Sequence, residues 1–269
     1  MRNICFYFQI HQPMRLKRYR FFDIGQDHYY YDDFQTEDHI RKVAEQSYLT
    51  ANKTIAEMIR SSNGKFKCSF SISGITLEQL EQYAPEVIDS FKELSKTGSV
   101  EFLAEPYAHS LASVFDADEF KRQVTLHANK IEELFGKRPA TFFNSELIYS
   151  DQIGETVAEL GYKTIMVDEA KHVMGWKSPN YIYKHAYLPK LKLLVRNNKL
   201  SDDLAFRFTH QSLTAEKFIA WIAALPVEEK TINLGMGYDV FGHINSANTG
   251  IFEFLKALPY FSMEQQMNF

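Results

Sequence analysis

The chain has 269 residues, of which 45% are hydrophobic and 24% are charged, and its formal net charge is −4. This balance is typical of a globular protein with a sizeable core, and the length suits one large α/β domain spanning residues 1–269. The lack of a basic block argues against nucleic acid as a partner, and no apolar run is long enough for a membrane span. Cys5 and Cys68 lie in apolar runs, as expected for reduced thiols of a cytoplasmic protein.

Seven apolar, strand-like runs follow one another along the chain. They are residues 3–10, 66–73, 99–105, 140–146, 163–169, 191–198 and 231–238. Five amphipathic segments precede five of them, at residues 43–62, 76–98, 116–140, 150–161 and 213–226. In these segments apolar residues recur near i, i+3, i+4 and i+7, which predicts helices with one buried face. Gly98, Gly136 and Gly161 stand where such helices would stop.

This alternation predicts a parallel sheet covered by helices. Seven units favour a barrel with seven strands, although an open doubly wound sheet fits the same pattern. In a barrel the carboxyl ends of the strands meet on one face, where active sites are built. Polar residues follow nearly every predicted strand end: His11, Gln12, Ser73, Glu105, His109, Asn144, Glu146, Asp168, Glu169, Asn197, Asn198 and Asp239. The set, rather than any single member, predicts an active site.

Two kinds of chemistry suit such a ring of side chains. Cleavage of a glycosidic bond needs two carboxyl groups, one of them with a raised pKa. Metal-assisted hydrolysis or deacetylation needs several His and Asp ligands around one ion. The nine histidines never stand three to five residues apart, and no C-x-x-C, H-E-x-x-H, G-x-S-x-G or P-loop motif occurs. We therefore expect carbohydrate chemistry without a metal or other cofactor.

Four segments resemble motifs of glycoside hydrolase family 57, in its α-amylase and α-amylase-like branch. They are HQP at 11–13, GSVEFLAEPYAHS at 98–110, FFNSELIYS at 142–150 and GMGYDVFGHINSANTGIFEFL at 235–255. The resemblance covers essentially the whole chain, and it implies an incomplete seven-stranded (β/α)7 TIM-like barrel that acts on α-glucans by a retaining mechanism. It implies that Glu146 is the nucleophile. The substrate-binding residues predicted from these motifs and strand ends are His11, Gln12, Glu105, His109, Trp176, Asp239 and His243.

The fourth motif departs from the family pattern. Aligned on Phe241-Gly242, it places Gly237 where the family has its general acid/base Asp, and it has His243 where the branch usually has Glu. Asp239, two residues on, is the conceivable surrogate acid. On an extended strand it would lie about 6.6 Å too far along, whereas a retaining pair of carboxyls stands only about 5–5.5 Å apart. A loop that curls back would bring it closer. We therefore expect hydrolysis to be weak or lost while sugar binding survives.

Two further expectations concern the edges of the cleft. Trp176, in a polar loop after the fifth strand, is the best single candidate for covering a pyranose face. The chain ends soon after GIFEFLKALP, whereas family members continue into a helical domain that carries a further motif. We therefore expect this domain to be absent or truncated and one wall of the cleft to be missing. A partner or a further segment would then cover the C-terminal side of the barrel.

Three functions stay open at this stage. The first is a slow or degraded retaining hydrolase acting on an α-glucan or maltooligosaccharide, with Glu146 as nucleophile. The second is a non-catalytic α-glucan-binding or regulatory protein on the same barrel. The third, more distant, is a metal-dependent polysaccharide deacetylase on a related seven-stranded barrel, which bound metal and chelator sensitivity would indicate.

Overall fold

The computed structural model describes residues 1–26 and 28–269. All seven predicted strands are present, and an unpredicted short strand lies in the region expected to be a loop around Trp176. The strands are β1 (Asn3–Ile10), β2 (Cys68–Ile72), β3 (Val100–Phe102), β4 (Thr141–Phe143), β5 (Thr164–Val167), β6 (Ile182–Lys184), β7 (Lys192–Val195) and β8 (Thr231–Gly237). The additional strand is β6, which pairs antiparallel with β7.

The strands form two four-stranded sheets that single bridges join into a ring. One sheet has the order β3-β2-β1-β8 and the other β4-β5-β7-β6. A parallel bridge between Ala104 and Phe142 connects the first sheet to β4, and a parallel bridge between Arg196 and Asn233 connects β7 to β8. The seven parallel strands therefore follow one another around a TIM-like barrel whose ladders are interrupted at two junctions. The open doubly wound alternative is not found.

Alternation along β1 separates the outside of the ring from its inside. Phe6 and Phe8 belong to the large core beneath the helices, whereas Tyr7 packs in a small separate cluster with Phe143. Successive strand residues point to opposite faces, so this cluster fills the interior of the ring. Tyr7 stands beside Gly235 on β8. A Cβ atom there would lie 2.0 Å from Tyr7 Cζ, so glycine makes room for the ring.

Eleven α-helices are present in the described residues. They are α1 (Asp33–Val43), α2 (Leu49–Ser61), α3 (Gly74–Tyr83), α4 (Pro85–Lys96), α5 (Ala112–Phe115), α6 (Ala117–Phe135), α7 (Asp151–Glu159), α8 (Lys171–Met174), α9 (Asn198–Ala205), α10 (Ala215–Ala223) and α11 (Ile251–Glu264). Gly98, Gly136 and Gly161 have φ of 71°, 74° and 94° and confirm the predicted helix stops.

Two of the predicted helical segments are interrupted. Residues 76–98 form two helices rather than one, because the residue before a proline is kept out of the helical region and Ala84 adopts φ −149°. The segment at residues 43–62 contains a π-helical turn, Ala44–Tyr48, before α2. That turn places the carbonyl of Gln46 against the fourth motif, where a Cβ on Gly242 would lie 2.0 Å from it.

Helix α11 packs against the same core as the barrel strands. Ile251, Phe254 and Leu258 on this helix are buried, whereas Tyr260 is exposed. Large exposed apolar side chains occur in the loops that follow β1 and β5, for example Phe22 and Trp176. None of the helices in the described part of the chain combines the length and apolar character needed to cross a membrane.

Candidate active site

Glu146 projects from a strained turn at the end of β4. Its backbone has φ 52° and ψ 24°, and Leu147 has φ 56°, so two consecutive non-glycine residues adopt the left-handed region. Each such residue costs roughly 1–2 kcal/mol. The buried amide of Asn144 donates hydrogen bonds to Ile148 O at 2.8 Å and to Ser113 Oγ at 3.0 Å, which holds the turn. The turn leaves the Glu146 side chain 69% exposed.

His109 connects Glu146 to a second, buried carboxylate. Its Nε2 lies 3.0 Å from Glu146 Oε1, and its Nδ1 lies 2.8 Å from Glu105 Oε2. His109 is also left-handed, with φ 51°. A left-handed backbone at both residues of one polar contact costs free energy, so it persists only because the surrounding structure holds it. Such strained residues cluster at functional sites.

The buried Glu105 is positioned by the second strand and by α6. Ser71 Oγ donates to Glu105 Oε1 at 2.7 Å, and the Glu105 backbone N–H donates to His127 Nδ1 at 3.2 Å. His127 Nε2 donates to Ile72 O at 2.7 Å. One ring nitrogen of His127 therefore accepts while the other donates, which requires the neutral imidazole. Burial lowers the pKa of His127 and favours the same form.

His11 stacks on His109, and the pKa values of the two rings are shifted in opposite directions. Their ring centroids are 4.3 Å apart with 25° between the planes, and His11 Nδ1 lies 2.8 Å from Ser73 Oγ. Burial and the neighbouring His109 lower the pKa of His11 to about 4. Burial alone would lower the pKa of His109 too, but the hydrogen bonds and charges of Glu105 and Glu146 outweigh it and raise that pKa. The pKa values of the two stacked rings are therefore shifted in opposite directions, which favours the neutral form of His11 and the protonated form of His109.

The raised pKa of His109 predicts that the reaction rate falls on the alkaline side of the pH–rate profile. The imidazolium is present below its raised pKa and is lost as pH rises through it, above the ordinary 6.5. The titratable groups that face it are Glu105, Glu146 and His11. The first-turnover release of fluoride from a glycosyl fluoride, which needs no acid, should fall over that range. Asparagine tolerates the left-handed backbone at this position. In His109→Asn the fall in rate at alkaline pH should disappear. The rate itself should drop about 10²-fold, which is typical of removing one positioned hydrogen-bond donor. The pH–rate profiles of the wild type and His109→Asn measure this effect. If the alkaline fall in rate persists in His109→Asn, another group is responsible for it.

A cleft of about 350 Å³ opens beside Glu146. Tyr7, Asp168, Arg196 and Gly237 line it together with Glu146. The Arg196 guanidinium is fixed by hydrogen bonds to Gly235 O at 2.8 Å, Asn198 Oδ1 at 2.7 Å and Asp202 Oδ1 at 2.7 Å. The volume lies within the range typical of small-molecule sites, and the polar groups that converge on it suit a hydroxyl-rich ligand.

The tyrosine in this cleft offers an unused donor. Tyr7 is 2% exposed, and its hydroxyl has no hydrogen-bond partner among the residues that the structure describes. Burial raises the pKa of Tyr7 well above its usual range, so the group stays a neutral O–H. A buried hydroxyl without a partner costs roughly 1–3 kcal/mol, which a bound ligand or water can recover.

The fourth motif leaves strand geometry at Gly237, so the extended-chain estimate for Asp239 does not apply. The 3-10 helix Tyr238–Val240 follows β8 directly. It folds Asp239 back, and a Cβ atom on Gly237 would lie 2.6 Å from Asp239 Oδ1. The 6.6 Å displacement along a strand is therefore wrong for this segment, because the tight turn replaces the rise of two extended residues.

Three predicted binding residues lie apart from the Glu146–His109 contact. Gln12 is buried, and its side chain bonds Tyr48 Oη at 3.0 Å and His39 Nε2 at 2.8 Å. His243 Nδ1 lies 3.0 Å from Gln46 Oε1. Trp176 is 93% exposed and is not among the residues that line the cleft.

Residues missed in the sequence complete the site. Gln9 places its amide nitrogen 3.1 Å from His109 Nε2, and Tyr7 and Arg196 line the cleft. The signal was available on β1, where Tyr7, Gln9 and His11 alternate and so share one face. Arg196 carried no comparable signal, since it follows an apolar run like many surface residues. Among residues 1–26 and 28–269, no three His, Cys, Asp or Glu side chains are grouped so that they could hold a metal ion. These residues therefore provide no ligand set for the deacetylase alternative.

Sequence comparison relates the chain to one group of proteins. The pattern described as "Glycosyl hydrolase family 57" matches residues 5–269. A Methanocaldococcus jannaschii protein named "Putative alpha-amylase" is 39% identical over 267 residues, covering 95% of this chain and 55% of that protein. An alpha-amylase of Pyrococcus abyssi is 20% identical over 189 residues, covering 70% of this chain and 28% of that protein. The chain thus spans about half, or less, of the length of these relatives.

Solved structures share the fold. A 4-alpha-glucanotransferase from Thermococcus litoralis matches with TM-score 0.73 and 17% identity over 96% of this chain and 38% of its own. A branching enzyme from Thermococcus kodakaraensis matches with TM-score 0.74 and 11% identity over 99% and 69%. A Mycobacterium smegmatis protein described as a "putative polysaccharide deacetylase" matches with TM-score 0.61 and 14% identity over 96% and 84%. Identities this low establish a common fold alone.

Proposed function

The chain belongs to glycosyl hydrolase family 57, and we propose that it cleaves α-glucans or maltooligosaccharides by a retaining mechanism with Glu146 as the nucleophile. The observation that carries the proposal is the 3.0 Å contact between His109 Nε2 and Glu146 Oε1 at the mouth of the cleft. The names of the similar proteins, alpha-amylase and 4-alpha-glucanotransferase, support an α-glucan substrate.

The hydrogen-bonded series Ser71, Glu105, His109 and Glu146 supports this role. A nucleophile has to be held at one orientation, and a cationic donor bonded on its far side to a buried carboxylate cannot rotate away. Glu105 accepts from Ser71 and binds His109, so it acts as a positioning residue for the histidine. The neutral face of His11, stacked on His109, offers a flat surface for the sugar at the same point.

The absent side chain at Gly237 predicts slow turnover. A retaining enzyme needs an acid that protonates the leaving oxygen and then, as a base, activates water. Loss of a positioned acid/base typically costs roughly 10²–10⁴ in rate. Cleavage of ordinary maltooligosaccharides should therefore be slow compared with a family member that has Asp at this position.

Intact-protein mass after incubation with α-maltosyl fluoride tests the proposal. Fluoride leaves without protonation, so the first step needs only the nucleophile. We expect a maltosyl adduct on the protein, located by peptide mapping on the segment that contains Glu146. Absence of both an adduct and fluoride release, together with retained maltooligosaccharide binding, would instead establish the non-catalytic binding protein, which the lack of a carboxyl side chain at Gly237 favours.

Tyr7→Phe should separate binding from stability. Removing a buried hydroxyl that has no protein partner should leave the free energy of unfolding unchanged or raise it. Loss of one hydrogen bond to the sugar should weaken maltooligosaccharide binding about tenfold. Titration calorimetry and urea denaturation measure the two quantities. Tyr48→Phe is the matched control: its hydroxyl is paired with Gln12, so that variant should lose stability and keep affinity. Unchanged affinity in Tyr7→Phe would exclude a sugar contact.

A further inference from the structure

The carboxylate of Asp239 occupies the place where a side chain at position 237 would begin. A Cβ atom on Gly237 would lie 2.6 Å from Asp239 Oδ1 and 3.8 Å from its Cγ. Real Cβ atoms do not approach an oxygen so closely, so the two side chains compete for one volume. The 3-10 helix Tyr238–Val240 gives that volume to Asp239, and glycine at 237 leaves it free.

This volume borders the cleft of the proposed nucleophile. Gly237 and Glu146 both line that cleft. On the neighbouring strand Gly237 pairs with Gln9, whose amide nitrogen lies 3.1 Å from the His109 Nε2 that contacts Glu146. Asp239 is not itself among the residues that line the cleft, but its Oδ1 lies 2.6 Å from the Cβ position of Gly237, which is, so its carboxyl group stands next to the cleft that Glu146 lines.

The surroundings of Asp239 suit a carboxyl that carries a proton. The residue is half-buried, and burial raises its pKa above the ordinary 3.8, although the nearby His243 lowers it. Tyr48, buried and bonded to Gln12, is the other titratable group that the charge of Asp239 affects. His243 is bonded to Gln46 through Nδ1. A general acid has to hold its proton close to the working pH, and burial is the usual means.

We propose that Asp239 is the general acid/base of this chain, a role that rests on Glu146 being the nucleophile. In the first step a Glu146 carboxylate oxygen bonds to C1 of the sugar, the C1–O bond breaks, and the leaving oxygen takes the proton of Asp239. In the second step the Asp239 carboxylate accepts a proton from water, the water oxygen bonds to C1, and the Glu146 ester bond breaks. The net reaction is hydrolysis with retention of configuration.

Two substrates distinguish the acid/base role of Asp239 from the nucleophile role of Glu146. Departure of a sugar from a maltooligosaccharide requires a proton, whereas departure of fluoride from α-maltosyl fluoride does not. Asp239→Asn should lower maltooligosaccharide cleavage about 10²–10⁴-fold and keep the first-turnover release of fluoride. The glycosyl-enzyme should then accumulate, because its hydrolysis lacks a base. Azide, which needs no base, should release it as α-maltosyl azide, a product that a merely structural role would not give.

Gly237→Ala tests the location of the carboxylate without removing it. The new methyl group should displace the Asp239 carboxylate from its place and lower maltooligosaccharide cleavage, again with fluoride release retained. Because both substitutions act on one group, the double variant should be no slower than Asp239→Asn alone. Additive losses would show that the two residues act separately and would overturn the proposal.

The remaining outcomes are also decisive. Unchanged maltooligosaccharide cleavage in Asp239→Asn, or accumulation of no azide product, overturns the role of Asp239. A wild-type protein that forms the adduct from the fluoride but never cleaves maltooligosaccharides keeps Glu146 as nucleophile and excludes Asp239 as acid. A wild-type protein that forms no adduct and also releases no fluoride removes the proposed function, and the role of Asp239 falls with it.

Discussion

Glu146→Gln should abolish the maltosyl adduct and lower turnover of both substrates by roughly 10⁴-fold or more, because loss of a catalytic nucleophile typically removes nearly the whole chemical step. Glutamine keeps the size of the side chain and can still accept a hydrogen bond from His109 Nε2, which lies 3.0 Å from Glu146 Oε1. The geometry of the turn should therefore persist. Mass spectrometry of the fluoride reaction and initial rates measure the effect.

Two controls make the result specific to Glu146. Glu155→Gln changes an exposed glutamate on α7, outside the cleft, and should keep full activity. Affinity of Glu146→Gln for maltooligosaccharides, measured by calorimetry, should stay close to that of the wild type. An adduct that forms equally well in Glu146→Gln would mean that another carboxylate, such as Asp168 in the same cleft, is the nucleophile.

Gly242→Ala should lower the free energy of unfolding by about 3 kcal/mol or more, as the sum of backbone strain and overpacking. Gly242 has φ 103°, which alanine rarely adopts, and a Cβ there would lie 2.0 Å from the carbonyl oxygen of Gln46. That oxygen belongs to a hydrogen-bonded helical turn, so neither side of the clash yields cheaply. Urea denaturation of the two proteins measures the loss.

Gly250→Ala separates the two causes. Gly250 also has a positive φ, 81°, but no atom lies within 4 Å of the added Cβ. It should lose only the backbone part, about 1–2 kcal/mol. Equal losses in Gly242→Ala and Gly250→Ala would show that the contact with Gln46 carries no weight. A larger loss at Gly242 identifies the Phe-Gly pair of the fourth motif as the point that fixes this loop against the π-helical turn.

The conformation of this loop bears directly on the chemistry. Gly242 N–H donates to Asn245 O at 2.9 Å, while His243 N–H and Ile244 N–H donate to Asp239 O at 3.3 and 2.9 Å. The backbone of Asp239 is therefore tied to the segment that Gly242 anchors. A partly folded Gly242→Ala protein should accordingly lose maltooligosaccharide cleavage more than the first-turnover release of fluoride.

The fold was largely readable from the sequence. Strand and helix positions depend on short-range patterns: an apolar run every few tens of residues, a period near 3.6 between them, and a glycine at three of the helix stops. These patterns also located the face that carries the candidate site, because the carboxyl ends of parallel strands must meet there. His11, Glu105, His109 and Glu146 were predicted on that face, and the structure brings these four together.

Other features depended on contacts between distant segments. Gln12 was predicted to bind substrate, yet its amide is occupied by Tyr48 and His39, which only the packing of α1 and the π-helical turn against β1 brings within reach. Tyr7 and Arg196 face the same cleft because β8 pairs with β1 along a parallel ladder and contacts the end of β7 through the Arg196–Asn233 bridge. No local pattern encodes these adjacencies, since the partners are separated by up to roughly two hundred residues.

The sequence by itself determined the family, the seven strands, the polar face of the barrel and the glycine at position 237. The tertiary structure decided the opposite pKa shifts of His11 and His109, the left-handed turn that presents Glu146, and the position of Asp239. The physical reason is the same in each case. Residue type is local, whereas a pKa, a strained φ and the direction of a side chain after a strand depend on neighbours that only the closed ring brings into contact.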